Sequence, residues 1–282
     1  MKHEHMFPIK KMCRTLKVSR GGYYAWLNRP PSQHTLRNDK LLNKIKMIHT
    51  ESNCIYGSPR ITETLKAEGF QVSRPRVARL MNRHGIRAKT VRKFKVTTQS
   101  DHHFPISPNL LGQDFSAECF GTVWTSDITY IRTSEGWLYL TVILDLYNRQ
   151  VVGWSMSTGL MAAQTVIPAL CMAFERYKPL PGLIFHSDRG VQYACEEFRN
   201  QLSVYQFVQS MSSVGNCYDN AVSESFFGTL KKEHVYHYQY KTRNKAKQSI
   251  FEYIEVFYNR IRKHSTLGYL SPVQFRKLNM AA

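Results

Sequence analysis

Three acidic residues stand at spacings that a metal-dependent phosphoryl-transfer site would use. Asp127 lies in the apolar, β-rich run VWTSDITYI. Asp188 closes a second such run, LIFHSD. Glu224 lies in DNAVSESFFGTLKKE, which reads as a helix, and 35 residues separate it from Asp188. Carboxylates at the ends of buried strands are costly to desolvate, and a hard cation with oxygen ligands offsets that cost. Two-metal sites hold their ions about 3.5–4 Å apart and draw carboxylates from several elements. One strand-borne Asp can bridge both ions, while a second strand and a helix each complete one shell. One ion activates the attacking oxygen and the other stabilises the leaving 3′ oxygen, with no covalent protein intermediate. Lys231 follows Glu224 by seven residues, two turns along the same helix face, where an ammonium can meet a DNA phosphate.

Each acid taken alone has a plainer reading. An Asp at a strand end is more often a cap or a turn former. Asp145, in LDLYNR, is a control of that sort. Asp219 or Asn220 is expected to cap the Glu224 helix. Glu233, nine residues after Glu224, falls on the opposite side by helical phase and is the weaker metal ligand. The plain reading of Lys231 is a surface lysine.

The elements that must position these residues change character along the chain. Residues 1–35 begin basic and end in GGYYAWLNRPPS, which reads as a short helix, a turn and a linker. Residues 36–88 read as helical. Leu41, Ile45 and Ile48 form an apolar stripe, Ile61 and Leu65 share a face, and Gly69 is a stop. In VSRPRVARLMNRHGI, Ser73 is the expected N-cap, Pro75 lies in the first turn and Gly85 terminates. Arg76, Arg79 and Arg83 project within about 60° of one another, beside an apolar sector of Val77, Leu80 and Met81, and Arg74 opens the helix. A helix, a turn and a basic second helix form the layout of a helix-turn-helix, with Arg74, Arg76, Arg79 and Arg83 as candidate DNA contacts. Its bland counterpart is a helical bundle with a solvated basic face. RKFKVTTQSDHHFPISPN reads as an extended basic linker. Three β-rich runs follow, then helix, strand, helix, strand, helix, which predicts a mixed sheet with helices packed on it. TRNKAKQSIFEYIEVFYNRIRKH reads as one long helix, and Pro272 opens a short last one.

Charge divides the chain in the same way. Residues 1–110 hold 22 Lys/Arg against 6 Asp/Glu, a net +16, and residues 111–282 hold 17 against 14, a net +3. A basic first part joined to a nearly neutral second part points to a polyanion-holding module attached to a catalytic one. No run of 18 apolar residues exists, so no membrane span is expected. The N-terminus lacks an apolar h-region, which predicts a chain without a secretory signal, in the cytoplasm. The six cysteines form no C-x-x-C pair and are expected as reduced thiols. His3/His5 and His102-His103 have no paired cysteines beside them and make a poor zinc site.

The motifs, in their order, resemble the OrfB-type transposase of the IS-three family of bacterial insertion sequences, within the retroviral-integrase-like DDE superfamily. SRGGYYAWLNR, YGSPRITETLKAEGFQVSRPRVARLMNRHGIRAK, VWTSDITYI, HSDRGVQY, DNAVSESFFGTLKKE and YNRIRKHSTLGYLSPVQF carry that resemblance over nearly the whole chain. The resemblance implies an α/β fold: an RNase H-like mixed five-stranded sheet with flanking helices, preceded by a small all-helical helix-turn-helix domain. The expected division is 1–35, basic helix and linker; 36–92, helix-turn-helix; 93–118, linker; 119–236, catalytic core; 237–282, C-terminal helical segment. Asp127, Asp188 and Glu224 carry over as catalytic and metal-binding residues, and Lys231 as a nearby DNA contact. Two Mg²⁺ ions are implied, with Mn²⁺ as a substitute. The implied reaction is hydrolysis at the element's 3′ end, after which the freed 3′-OH attacks another phosphodiester.

The implied partners are double-stranded DNA (terminal repeats and target), a second or further copy of the chain on that DNA, and an upstream-frame OrfA product. That product commonly supplies a first helix-turn-helix and a zipper helix, neither of which is recognisable here. The implied place is the nucleoid of a bacterial cytoplasm. Asn259, Arg260, Arg262 and His264 match a family run and either touch DNA or brace the sheet. Two other functions fit less of the sequence. A non-catalytic DNA-binding regulator would not need all three acids, and an RNase H-type nuclease would not need the basic helix-turn-helix or the long Asp188–Glu224 gap.

Overall fold

A computed structural model describes residues 7–89, 104–213 and 217–280. Five helices come first: α1 Ile9–Thr15, α2 Arg20–Leu27, α3 Gln33–Glu51, α4 Ser58–Ala67 and α5 Arg74–Arg83. The segment expected as turn and linker around GGYYAWL is itself helix α2, because Ser19 caps it by accepting from Gly22 N. Ser73 occupies the N-cap position of α5, yet its side chain makes no capping bond. The helix instead starts on Pro75, whose fixed φ suits the first turn. Gly69 and Gly85 stop α4 and α5 in the left-handed region, at φ +87° and +68°. The two histidine pairs and residues 90–103 of the basic linker lie outside the described residues. Where the description resumes, the chain runs extended along the sheet edge, with Met211 N donating to Pro108 O and Leu110 N to Ser210 Oγ.

The sheet has five strands, β1 Val123–Thr133, β2 Gly136–Asp145, β3 Val151–Ser157, β4 Ile184–Ser187 and β5 Val208–Met211, in the order β3-β2-β1-β4-β5. The β1–β2–β3 meander is antiparallel, and β1–β4 and β4–β5 are parallel. This is the mixed sheet expected from three strands followed by alternating helices and strands. α6 Val166–Tyr177, α7 Val191–Ala194 and α8 Glu196–Val204 cover one face, where Trp124, Ile143, Phe185 and Phe198 are buried. α6 approaches β3 so closely that no Cβ would fit at Gly153 against the Ala169 carbonyl.

The other face carries α9 Ala221–Glu233 and α10 Arg243–Phe251. Leu138, Leu140, Val142 and Leu144, alternating along β2, pack there with Phe226, Leu230, Ile254 and Phe257. The helix expected to run unbroken through this region passes from α10 into a π-helical stretch, Glu252–Tyr258. At its end Asn259 accepts from Val151 N and donates to Val151 O, both at 3.0 Å, which ties down the start of edge strand β3. α11 Pro272–Met280 closes the fold. Among the described residues no helix is long and apolar enough to cross a membrane, and Cys13, Cys54, Cys119, Cys171 and Cys195 are free.

The core of α3–α5 (Ile45, Ile61, Leu65, Val77) is continuous with the second sheet face. A polar hub accompanies that contact. Glu233, the last residue of α9, accepts two bonds of 2.8 Å from Arg262, one of 2.9 Å from the Tyr253 hydroxyl and one of 3.3 Å from Arg60 on α4. Beside it the Tyr56 hydroxyl donates to Ile261 O and accepts from Lys263 N. Burial alone would raise the Glu233 pKa, but the Arg262 bonds and charge, then Arg60, hold it below the usual value. Its stabilisation is therefore complete above the ordinary carboxylate pKa of 4.5 and is lost as pH falls through the depressed folded value. Glu233→Ala strands a buried guanidinium and should cost about 3–5 kcal/mol at pH 7, with a smaller loss in acid. Urea unfolding at the two pH values measures this, and an unchanged midpoint at pH 7 would contradict it.

Candidate active site

Strand register sets the site. β1 and β4 pair from Val123 with Ile184 through Ser126 with Ser187. The next residue on each strand is Asp127 and Asp188, so the two aspartates leave the ladder side by side, where strand spacing is about 4.8 Å. β4 ends there while β1 continues to Thr133. Asp127 is thus a mid-strand residue, unlike the strand-end position expected, and it sits where the parallel ladder stops. Asp188 Oδ1 accepts from Gly190 N at 2.9 Å, and a Cβ at Gly190 would come within 2.9 Å of that same oxygen. A glycine is what lets the turn close on the carboxylate.

Glu224 arrives from the facing helix by a polar latch. Thr125 Oγ1 donates to Asn220 Oδ1 at 2.9 Å and lies 3.1 Å from Ser223 Oγ, while Asn220 Nδ2 donates to Ser126 O at 3.4 Å. These groups are buried. They fix the first turn of α9 against β1, and the carboxylate of Glu224, the next residue after Ser223, is exposed at that end. Asn220 does stand at the N-cap position, but its side chain makes no capping bond, because its amide is committed to β1. Asp219 does not cap either. It accepts from Ser213 N, Asn109 Nδ2 and Gln113 Nε2 at 2.7, 2.9 and 3.2 Å. Asp145 is a turn former, accepting from Gly121, Tyr147 and Asn148 N–H groups and from Trp124 Nε1. Burial raises its pKa to about 6.

The electrostatics show one crowded anionic centre. Burial first, then the charges of Asp188 and Glu224, push the Asp127 pKa well above the carboxylate range, against the pull of the Ile128 N–H and Lys231. Desolvation raises Glu224. Lys231 has its pKa lowered by burial, an effect opposed by Tyr130 and Asp127, and its Nζ lies 5.4 Å from the Tyr130 ring centroid. Behind the aspartates the buried Tyr193 hydroxyl lies 2.8 Å from Ser126 Oγ, and its pKa is raised by burial and by both Asp charges. Asp127 thus feels the charges of Asp188, Glu224 and Lys231. Among the described residues, no three His, Cys, Asp or Glu side chains stand close enough together to hold a metal ion. Glu224 is exposed on the first turn of its helix. The donor set is all oxygen and mutually repelling, which is the chemistry a hard divalent cation fits.

The remaining candidates fall elsewhere. Arg74, Arg79 and Arg83 are exposed on α5, and Arg79 Nε donates to Pro75 O. Arg76 is half-buried and gives Asn38 Oδ1 two bonds, of 2.8 and 3.2 Å, that hold α5 to α3. Asn259 and Arg262 are buried braces, while exposed Arg260 bonds the Glu255 carbonyl. His264 lies 3.0 Å from Arg262 Nη1, and burial with three nearby arginines pushes its pKa down to about 3. The sequence reading missed Thr125 on β1, Ser223 on α9 and Tyr193 on α7. A small polar residue at an inward position of a buried strand was the signal for Thr125, and Ser223 and Tyr193 had none of their own.

An integrase core family model matches residues 117–217, a second integrase core model matches 224–280, and an HTH-like domain matches 36–94. The chain is 43% identical over 282 residues to the transposase InsF of insertion sequence IS3A from Escherichia coli K12, covering 99% of this chain and 98% of that one. It is 44% identical over 266 residues, 94% of this chain and 97% of the relative, to the uncharacterized 31 kDa protein of insertion element IS600 from Shigella sonnei. Among solved structures, the catalytic core of BIV integrase aligns with a TM-score of 0.44 and 18% identity, over 57% of this chain and 97% of that one.

A raised folded pKa means that ionised Asp127 costs stability at neutral pH, and that the cost vanishes below the unfolded value near 3.8. Asp127→Asn should therefore raise the melting temperature of the metal-free protein at pH 7.5 and change it little at pH 3.5. Equal destabilisation at both pH values would contradict the crowding described.

Proposed function

The chain belongs to the transposases of the IS-three family, and from that premise we propose that it cuts the 3′ ends of its insertion sequence and joins them to new DNA at Asp127, Asp188 and Glu224. The reading is supported most by one observation: register sets Asp127 beside Asp188, and the Thr125–Asn220–Ser223 latch holds the first turn of α9, which carries Glu224, against β1.

In this reading the three carboxylates hold two Mg²⁺ ions, for which Mn²⁺ substitutes. When bound, the ions supply activation of the attacking oxygen and neutralisation of charge at the leaving 3′ oxygen. The chain's own groups do the rest. Asp127 would be a ligand in its ionised form, which burial and the charges of Asp188 and Glu224 disfavour while the site holds no cation. Asp188 is steadied by Gly190 N. Glu224, exposed on the first turn of α9, would supply the third carboxylate. Lys231, at the margin of the trio, offers its ammonium to a phosphate of the DNA end. Tyr193 keeps water from the back of the aspartates and holds Ser126 in place.

DNA is held at a distance by the basic first part. Arg74, Arg79 and Arg83 face solvent on α5 and meet phosphates or a groove, while Arg76 orients that helix through Asn38. Joining two ends requires two or more copies of the chain on DNA, and an upstream-frame OrfA product is a proposed further partner.

Asp188→Asn and Glu224→Gln should each reduce end cleavage and strand joining to background with Mg²⁺ or Mn²⁺, while DNA affinity stays within about twofold of wild type. Full joining activity in either variant would overturn the reading. Affinity should also fall with salt, at a log–log slope of about −0.9 per phosphate contacted. A flat salt profile would mean that the basic half does not hold DNA.

A further inference from the structure

The β1–β2 hairpin carries two large aromatics that the fold leaves uncovered, on the sheet face opposite the one that carries Asp127. Tyr130 is 42% exposed and Trp137 is 47% exposed. Their rings meet edge to face at 5.1 Å. Register places them on one face: Tyr130 stands opposite Tyr139, and Arg132 opposite Trp137. Ser126 and Ile128 share that face by alternation, and there Tyr193 and the α6–α8 core cover them. The cover stops short of Tyr130.

Three further observations say what this face would take. Lys231 reaches round the edge of β1 that β4 leaves open, so its ammonium lies over the Tyr130 ring at 5.4 Å while Asp127 still attracts it. One cation therefore marks the border between the carboxylates and the aromatics. Arg132 is exposed on the same face. Arg243 donates to Trp137 O at 3.1 Å, which fixes the hairpin at that residue. Exposed rings interleaved with cations, and linked through Lys231 to Asp127 on the other face of β1, suit a base with its phosphate rather than an apolar protein partner.

We propose that Tyr130 and Trp137 form a stacking platform for an unpaired nucleobase at the DNA end, with Lys231 holding the adjoining phosphate. This rests on the transposase reading of the neighbouring carboxylates. It adds positioning residues: the platform keeps the end nucleotide out of the duplex so that its phosphate reaches Asp127 and Asp188.

The test uses the full chain in EDTA, so that no cleavage intervenes. The probe is a duplex with a short 3′ single-stranded tail containing 2-aminopurine, whose fluorescence is quenched on stacking. Binding is followed separately by anisotropy of a dye at the far end. Wild type should quench the tail and prefer tailed to blunt duplex. Tyr130→Ala/Trp137→Ala should leave the tail bright at equal bound DNA and lose about tenfold of that preference. Trp137→Phe should restore the quench, a rescue that a merely structural residue would not give. Equal quenching by wild type and the double variant would overturn the proposal. So would a double variant that changes only the oligomeric state, which would mark the face as a protein contact. Cleavage in Mg²⁺ is scored on a separate duplex. Quenching without cleavage leaves the platform standing and removes the catalytic reading, and cleavage without quenching does the reverse.

Discussion

Two aspartates on neighbouring parallel strands cannot move apart once the β1–β4 ladder has formed. Each pairing from Val123–Ile184 to Ser126–Ser187 commits the next residues, Asp127 and Asp188, to one place. Their repulsion is built into the hydrogen-bond register of the sheet, and Glu224 adds to it. Fixed crowding of this kind opposes folding while the groups are ionised and favours any hard cation that relieves it. The fold's stability and the site's chemistry therefore act against each other at the same atoms.

α9 is the element that reconciles them, because it is held at both ends by different means. Its first turn is latched to β1 by Thr125, Asn220 and Ser223, and its last residue, Glu233, is gripped by Arg262, Tyr253 and Arg60. Glu224 and Lys231 lie between those anchors. Arg60 belongs to α4, and Tyr56, just before α4, bonds the backbone at Ile261 and Lys263. The helix-turn-helix is thus tied to the same helix that carries Glu224. This hub and the shared apolar core fix α5 relative to the carboxylates.

Much of this was legible in the sequence because it depends on period and spacing. The three β-rich runs, the helices, the Gly69 and Gly85 stops and the mixed sheet follow from alternation and turn residues. Glu233 lying away from Glu224 followed from helical phase alone. What was hidden depends on tertiary partners. Asn220 looks like a helix cap, and only the arrival of β1 shows that its amide is spent on Thr125 and Ser126. Arg76 looks equivalent to Arg79 and Arg83 until Asn38 on α3 claims it. Arg262 and Asn259 left DNA contact and bracing equally open, and burial decides for bracing. The π-helical stretch has no local signal, since it arises where the helix must bring Asn259 onto edge strand β3.

The central claim is that register-enforced crowding of Asp127, Asp188 and Glu224 exists to bind divalent cations. Calorimetric titration of the metal-free protein with Mn²⁺, in buffers of differing ionisation enthalpy, measures binding and proton release together. Saturable binding that expels a proton from the wild type in mildly acidic buffer, and is lost in Asp188→Asn, is the predicted result. Equal Mn²⁺ binding by the wild type and by a variant neutralised at all three positions would contradict it.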